Sequence, residues 1–203
     1  MKTLTALFLA LIACATLSTA QPMESTNNLI LLPANDPTIS FRLWFKAGSQ
    51  NDPAGKEGLA AITAAMLSDG STTKNSYEQI IGKLYPLAAG YGASCSKEMT
   101  VVTGRTHKDN LQAYYGLLTD AILHPAFKQE DLDRIKDQVL NELENSLRYA
   151  SDEELGKAVL YQEIFRGTPY AHVNEGLINS VKSITLEDCK KFYATYFTRD
   201  NVV

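Results

Sequence analysis

The sequence predicts an α+β fold in which helices pack on one face of an antiparallel sheet. Three observations lead to this prediction. Short runs rich in β-branched and aromatic residues occur near both ends of the first half. Two helical segments lie between these runs. In the second half, apolar residues recur at helical spacing. The order strand, strand, helix, helix, strand, strand, helices is typical of a sheet covered by helices. A chain of 203 residues, 45% of them hydrophobic, is long enough to bury one core.

The first half supplies the expected strands and two helices. Residues 28–33 and 38–47 are predicted as strands, separated by the turn residues Ala-Asn-Asp-Pro. A helix is predicted over about residues 54–67, where Asp69 and Gly70 end the apolar pattern.

A capping box marks the start of the second helix. Ser76 stands three residues before Gln79, which predicts a helix over residues 77–84. Strands over about 93–95 and 100–105 then form a hairpin around Ser-Lys-Glu.

The second half is mostly helical. Apolar residues at helical spacing predict helices over 108–123, 130–148, 152–165 and 185–197. Residues 200–203 look like the start of a strand, so the domain is expected to be truncated at its C-terminal end unless the chain stops naturally there.

The first 20 residues have the features of a signal peptide. Lys2 precedes an apolar run that is too short for a membrane span, and Ser18 and Ala20 are small residues suited to cleavage after Ala20. Leu-Ile-Ala followed by Cys14 is an alternative lipoprotein leader, in which Cys14 would carry a lipid anchor. Either leader places the mature domain, residues 21–203, outside the cytoplasm, in the periplasm or on the outer membrane of a bacterium.

Charge and cysteine content narrow the classes of partner. The formal net charge is −4 and no cluster of Lys and Arg occurs, so a nucleic-acid partner is not expected. Outside the leader the chain has Cys95 and Cys189, which the sequence leaves either paired in a disulfide or separate.

Four segments, in order, resemble the insulinase and mitochondrial-processing-peptidase (pitrilysin) family of zinc metallopeptidases. They are residues 44–60 (WFKAGSQNDPAGKEGLA), 92–111, 123–144 and 168–203, which together cover most of the mature chain. The resemblance implies the N-terminal half of a family subunit, with the LuxS/MPP-like metallopeptidase fold.

The same resemblance implies a zinc site that this chain has lost. Active members carry an inverted H-x-x-E-H motif on a helix, where two His ligands one turn apart bind Zn²⁺ and the Glu acts as base. The matching positions are Ala61 and Ala65 for the two His and Ala64 for the Glu. Glu142, 77 residues after Ala65, matches a further Glu ligand. One carboxylate cannot form a three-ligand catalytic site, so neither zinc nor peptidase chemistry is expected.

Other residues do not replace the missing ligands. His107, His124 and His172 have no partner at metal-ligand spacing and are expected to be surface or capping residues. Glu142 also has an alternative interpretation, in which it is an ordinary acidic residue on the polar face of a helix, next to Glu144.

Peptide binding does not depend on the lost side chains. The family adds its substrate as a strand to a sheet edge beside the zinc, and such pairing uses main-chain groups. The matching edge strand comprises Gly92, Ala93, Ser94, Cys95 and Ser96. The alternative is an ordinary structural strand.

The resemblance therefore predicts a catalytically inactive homologue. We expect a partner subunit of a zinc-bearing paralogue that contributes peptide binding and chamber architecture, without a cofactor of its own. Two alternatives stay open: a stand-alone peptide-binding or scaffold protein, and a zinc metalloendopeptidase with a non-standard site.

Overall fold

The computed structural model describes residues 29–150 and 152–202. The predicted signal peptide, the alternative lipid site at Cys14 and the terminal Val203 lie outside the described residues. Residues 29–33 belong to a separate N-terminal unit, and the fold described below is that of the second unit, which begins at Ala34.

The described sheet has three antiparallel strands. They are β1 (Thr38–Phe45), β2 (Gly90–Cys95) and β3 (Thr100–His107), in the order β1-β3-β2. β3 therefore pairs on both sides, while β2 pairs with β3 alone among the described strands.

Helices make up most of the rest. The α-helices are α1 (Leu59–Ser68), α2 (Tyr77–Leu84), α3 (Leu111–Leu123), α4 (Gln129–Asn141), α5 (Asp152–Ile164), α6 (Ile178–Ser183) and α7 (Leu186–Tyr196). A π-helix, Glu142–Ala150, continues α4, and short 3₁₀ helices occur at Ser49–Asn51, Tyr85–Leu87, Lys108–Asn110 and Arg199–Asn201.

The helices cover one face of the sheet, which confirms the predicted fold class. Thr100, Val102, Gly104 and Thr106 of β3 are buried, while the residues between them are more exposed. Because side chains alternate between the two faces of a strand, this pattern means one packed face and one open face.

Two apolar clusters fill the interior. One joins the sheet to α2 and α3 through residues that include Phe45, Val102, Ile80 and Tyr114. The other surrounds α1 and includes Ile62, Met66, Ile135, Val181 and Phe192, which belong to α1, α4, α6 and α7. α1 therefore lies at the centre of the larger cluster.

Two sequence predictions in the first half are wrong. The described residues 29–33 form no strand, because a short apolar run becomes a strand only when a partner strand pairs with it. The first helix begins at Leu59 rather than near residue 54. Pro53 and two glycines with positive φ, Gly55 and Gly58, keep the preceding residues in turns.

The second half differs from prediction in three places. The helix predicted over 130–148 changes from α to π geometry at Glu142. The short helix α6 lacks a side-chain N-cap and was not predicted. The strand expected at 200–203 is reduced to a single antiparallel bridge between Val202 and Phe45.

Candidate functional site

The N-terminus of α1 is held by a buried carboxylate. Asp52 Oδ2 accepts from the Gly58 N–H and Oδ1 from the Ala60 N–H, both at 2.7 Å. The Asp52 side chain has no exposed surface, and His172 Nε2 lies 3.9 Å from Oδ2. Burial raises the pKa of Asp52 to about 6, although the two N–H groups and His172 act in the opposite direction.

A second contact joins the same end of α1 to a segment that lies more than a hundred residues later in the sequence. The two backbone segments approach each other at Gly58 and Gly176, whose φ angles are 102° and 92°. A Cβ on Gly58 would overlap the Glu175 carbonyl, and a Cβ on Gly176 would overlap the Glu57 carbonyl. Only glycine permits this close backbone approach. The position of α1 is therefore set by the loop before α6.

α1 is buried except along one narrow stripe. Among residues 59–68, Ala61 and Ala65 alone are partly exposed, and Asp69 continues the stripe one turn later. Residues four apart lie on the same side of a helix, so the two predicted ligand positions point in one direction. Ala64, the position of the catalytic Glu in the resemblance, is 1% exposed.

β2 is the strand beside α1. α1 packs against β2. The charged groups that act on the pKa values of Cys95 and Tyr91, at the two ends of β2, indicate the direction in which β2 runs relative to α1. Burial raises the pKa of the Cys95 thiol to about 12, with a contribution from Asp52 before α1. Burial likewise raises the pKa of Tyr91, with contributions from Tyr114 and from Asp69 after α1. Cys95 therefore lies towards the start of α1 and Tyr91 towards its end, so β2 and α1 run antiparallel.

The register of β2 against β3 determines which main-chain N–H and C=O groups of β2 point away from β3, towards the free edge. Ser96 N donates to Met99 O at the base of the hairpin, so this pair is hydrogen-bonded. Hydrogen-bonded and non-hydrogen-bonded pairs alternate along an antiparallel ladder. The main-chain groups of Gly92 and Ser94 therefore face β3, and those of Ala93 and Cys95 face the free edge.

The predicted edge strand is thus placed as a strand with one exception. Gly92, Ala93, Ser94 and Cys95 belong to β2, while Ser96 lies in the turn that follows. The Ser96 carbonyl instead accepts from the Ser49 N–H.

Glu142 is the exposed first residue of the π-helix. Its neighbour Leu143 packs in the core, and Glu144 forms an ion pair of 3.0 Å with Lys182. In the described part of the chain, no three His, Cys, Asp or Glu side chains are grouped to hold a metal ion. Two methyl groups and one carboxylate do not fit the donor set of a catalytic zinc site.

The histidines and cysteines do not add ligands. His107 Nδ1 accepts from the Asp109 N–H, and His124 is the exposed C-cap of α3. The expectation of a surface or capping residue is wrong for His172, whose side chain is only 11% exposed beside Asp52. Cys95 and Cys189 are free thiols rather than a disulfide.

Sequence reasoning missed the contacts that hold the hairpin turn after β2. Tyr170 Oη lies 2.8 Å from Glu98 Oε1 and 3.0 Å from Gln50 Oε1. The Lys97 ammonium donates to the His172 carbonyl. These residues are far apart in sequence, so no local pattern could have brought them together.

Such a fold and site define a peptidase-type α+β domain, in which a largely buried helix packs against an edge strand of the sheet. The chain belongs to the insulinase family, peptidase family M16, whose model matches residues 29–174. Within the described residues no helix combines the length and the apolar character that crossing a membrane requires.

Curated relatives include subunits and a non-peptidase. The chain is 23% identical to the probable mitochondrial-processing peptidase subunit beta of Arabidopsis thaliana, over 82% of this chain and 31% of the relative. It is 27% identical to the non-peptidase homolog YmxG of Helicobacter pylori, over 82% of this chain and 38% of that protein. The chain thus spans about a third of the length of these relatives.

Solved structures share the fold. A peptidase M16 inactive domain from Pseudomonas fluorescens matches with a TM-score of 0.77 and 29% identity, over 84% of this chain and 41% of that one. The periplasmic protease PqqL from Escherichia coli matches with a TM-score of 0.72 and 16% identity, over 82% of this chain and 19% of that one.

Proposed function

We propose that this protein is a catalytically inactive M16 homologue that binds an extended peptide along β2 and acts as the partner subunit of a zinc-bearing paralogue. In this role it requires no zinc or other cofactor. The observation that carries the proposal is that α1 packs against β2, an edge strand, while the two partly exposed positions of α1, Ala61 and Ala65, carry only methyl groups.

Loss of chemistry is supported by the residues and by the relatives. Alanine cannot ligate a metal, accept a proton or orient water, whereas a catalytic zinc site needs three protein ligands and a bound water. One relative is named a non-peptidase homolog and one matching structure an inactive domain. The family therefore includes proteins named as inactive, which supports the proposal that this chain is inactive as well.

Peptide binding is supported by the edge of β2. The main-chain N–H and C=O groups of Ala93 and Cys95 face outward, and a strand edge with such groups pairs readily with an extended chain. Ser94 is exposed on the open face of the sheet, where it does not obstruct a bound strand.

A subunit role is supported by the relatives named as subunits of the mitochondrial-processing peptidase. The leader-like first 20 residues support an extracytoplasmic location, in the periplasm or at the outer membrane through a lipid on Cys14. A stand-alone peptide binder is the alternative that lacks the paralogous partner.

Proline substitution tests the edge directly. Ala93→Pro removes an N–H that faces the free edge, so we expect an unchanged melting temperature and at least about tenfold weaker binding of a fluorescein-labelled Val/Thr-rich peptide. Fluorescence anisotropy measures the affinity. Ser94→Pro is the matched control, because its N–H faces β3 and its loss should lower the melting temperature. Undiminished peptide binding by a folded Ala93→Pro variant would refute edge addition.

A further inference from the structure

A groove of about 750 Å³ lies between α2 and α3, and this volume is in the range of small-molecule sites. Lys74 Nζ pairs with Asp120 Oδ1 at 2.8 Å, and Asn110 Nδ2 donates to the Leu87 carbonyl at 3.1 Å. The start of α2 therefore lies beside the end of α3, and the end of α2 lies beside the start of α3. The two helices thus run antiparallel along the groove.

Each of these helices contributes a glycine to the wall of the groove. Gly82 of α2 and Gly116 of α3 are exposed, and a Cβ added to either would meet nothing within 4 Å. Neither is among the glycines with positive φ. Glycine weakens a helix relative to alanine, and no close approach or backbone conformation in the described chain requires it at these two positions. What the two glycines provide is the space between the helices.

The two ends of the groove differ in chemistry. Lys83 Nζ donates to the Asn75 side chain, next to Lys74 in the sequence, so both ammonium groups lie at the same end. Asp120 neutralises Lys74, whereas Lys83 forms no ion pair within the described residues. This end therefore carries a net positive charge. The floor and the opposite end are lined by Pro86, Leu87, Ala113 and Leu117.

The length of the groove limits what it can hold. Its lining on α3 runs from Ala113 to Asp120, which is about 10 Å at a rise of about 1.5 Å per residue. An alkyl chain of medium length spans this distance. A positive end that continues into an apolar wall complements a ligand with an anionic head and an apolar tail.

We infer that the groove between α2 and α3 binds a medium-chain carboxylate, with the alkyl chain along Gly82 and Gly116 and the carboxylate at Lys83. None of the lining residues belongs to α1 or β2. The inference therefore does not rest on peptide binding along β2.

Isothermal titration calorimetry with octanoate, at concentrations too low for micelles, tests the site. Gly116→Leu places a side chain in the groove and should weaken octanoate binding at least about tenfold. The melting temperature should not fall, because leucine favours a helix more than glycine does. Gly156→Leu on α5 is the matched control and should leave the affinity unchanged. A Cβ on Gly156 also meets nothing within 4 Å, but Gly156 does not line the groove.

Lys83→Gln tests the position of the carboxylate. It should weaken octanoate binding about fivefold and leave binding of octanol unchanged, since octanol has the same chain without the charge. An equal loss for both ligands would contradict a carboxylate at Lys83.

Three outcomes would overturn the inference as a whole. They are no binding of octanoate by the unmodified protein, undiminished binding by the Gly116→Leu variant, and an equal loss in the Gly116→Leu and Gly156→Leu variants. Each of them would leave the proposed binding of a peptide along β2 unaffected, because that proposal is measured with a different ligand.

Discussion

At the scale of single residues, alanine stands on α1 at positions 61, 64 and 65, which the resemblance matches to the two His and the Glu of the motif. The helix persists because alanine has the highest helix propensity and fits the core. The three positions are not equivalent, however. Ala61 and Ala65 border the open stripe, whereas Ala64 is buried, so restoring each side chain has a different consequence.

Restoring the ligands tests how much of the metal site persists. We expect the double variant Ala61→His with Ala65→His to bind Zn²⁺, because two imidazoles one helical turn apart can share one ion. Adding Ala64→Glu should lower the melting temperature without raising affinity, since it places a carboxylate at a buried position. Isothermal titration calorimetry measures zinc binding and calorimetric scanning measures stability.

Glu142→Gln in the double-His background is the control for the third ligand. A loss of about tenfold in zinc affinity would show that Glu142 completes the site. An unchanged affinity would identify Glu142 as a solvated surface residue.

Asp52 makes stability depend on pH. The pKa of Asp52 is about 6 in the folded protein, whereas the ordinary pKa of an Asp side chain is 3.8. The native state therefore holds the proton more tightly than the unfolded chain. This contribution is therefore fully present below about pH 4 and is lost as pH rises through 6, by about 3 kcal/mol. Asp52→Asn should remove it.

Urea unfolding at pH 4, 5, 6 and 7 checks the Asp52 prediction. The free energy of unfolding of the unmodified protein minus that of Asp52→Asn should fall over this range. Asp52→Asn replaces this carboxyl alone and leaves Glu57, His172 and Glu175 in place. A difference that stays constant with pH would contradict a raised pKa for Asp52.

At the scale of elements, local signals predicted the structure where side chains cap their own helix. Ser76 with Gln79 begins α2, as its capping box indicated, and Thr185 with Asp188 forms a capping box at the start of α7. The start of α1 was misplaced because its cap, Asp52, lies seven residues before Leu59 and acts through a folded loop. The change to π geometry at Glu142 has no comparable signal in the sequence.

The crossing of Gly58 with Gly176 gives an element-scale prediction. Gly176→Ala should destabilise the fold by about 3 kcal/mol or more, because the new Cβ overlaps the Glu57 carbonyl at a positive φ. Gly55→Ala is the matched control, since φ is 78° there but nothing lies within 4 Å of the added Cβ. It should cost only about 1 kcal/mol. Thermal melts compare the two, and equal shifts would show that the close approach is unimportant.

At the scale of the whole molecule, the position of α1 limits which of its residues can reach a ligand. α1 lies within the larger apolar cluster, and among residues 59–68 only Ala61 and Ala65 are partly exposed. Binding of an extended peptide along β2 is the role proposed for this arrangement.

The subunit role gives a prediction for the intact protein. Affinity purification of a tagged chain from the periplasmic fraction of its source should recover a paralogue that carries H-x-x-E-H, and mass spectrometry would identify it. The Ala93→Pro variant should recover the same partner if the partner binds apart from the peptide edge. Recovery of no such paralogue would favour the stand-alone peptide binder.

The sequence by itself determined the family, the fold class and the absence of the H-x-x-E-H side chains, because these depend on residue identity, local periodicity and the order of segments. It also located the edge strand to within a few residues. Only the tertiary structure decided that Ala61 and Ala65 are the open stripe of a buried helix and that Asp52 and His172 lie together. These relations join residues far apart in the chain, and packing rather than local propensity brings them into contact.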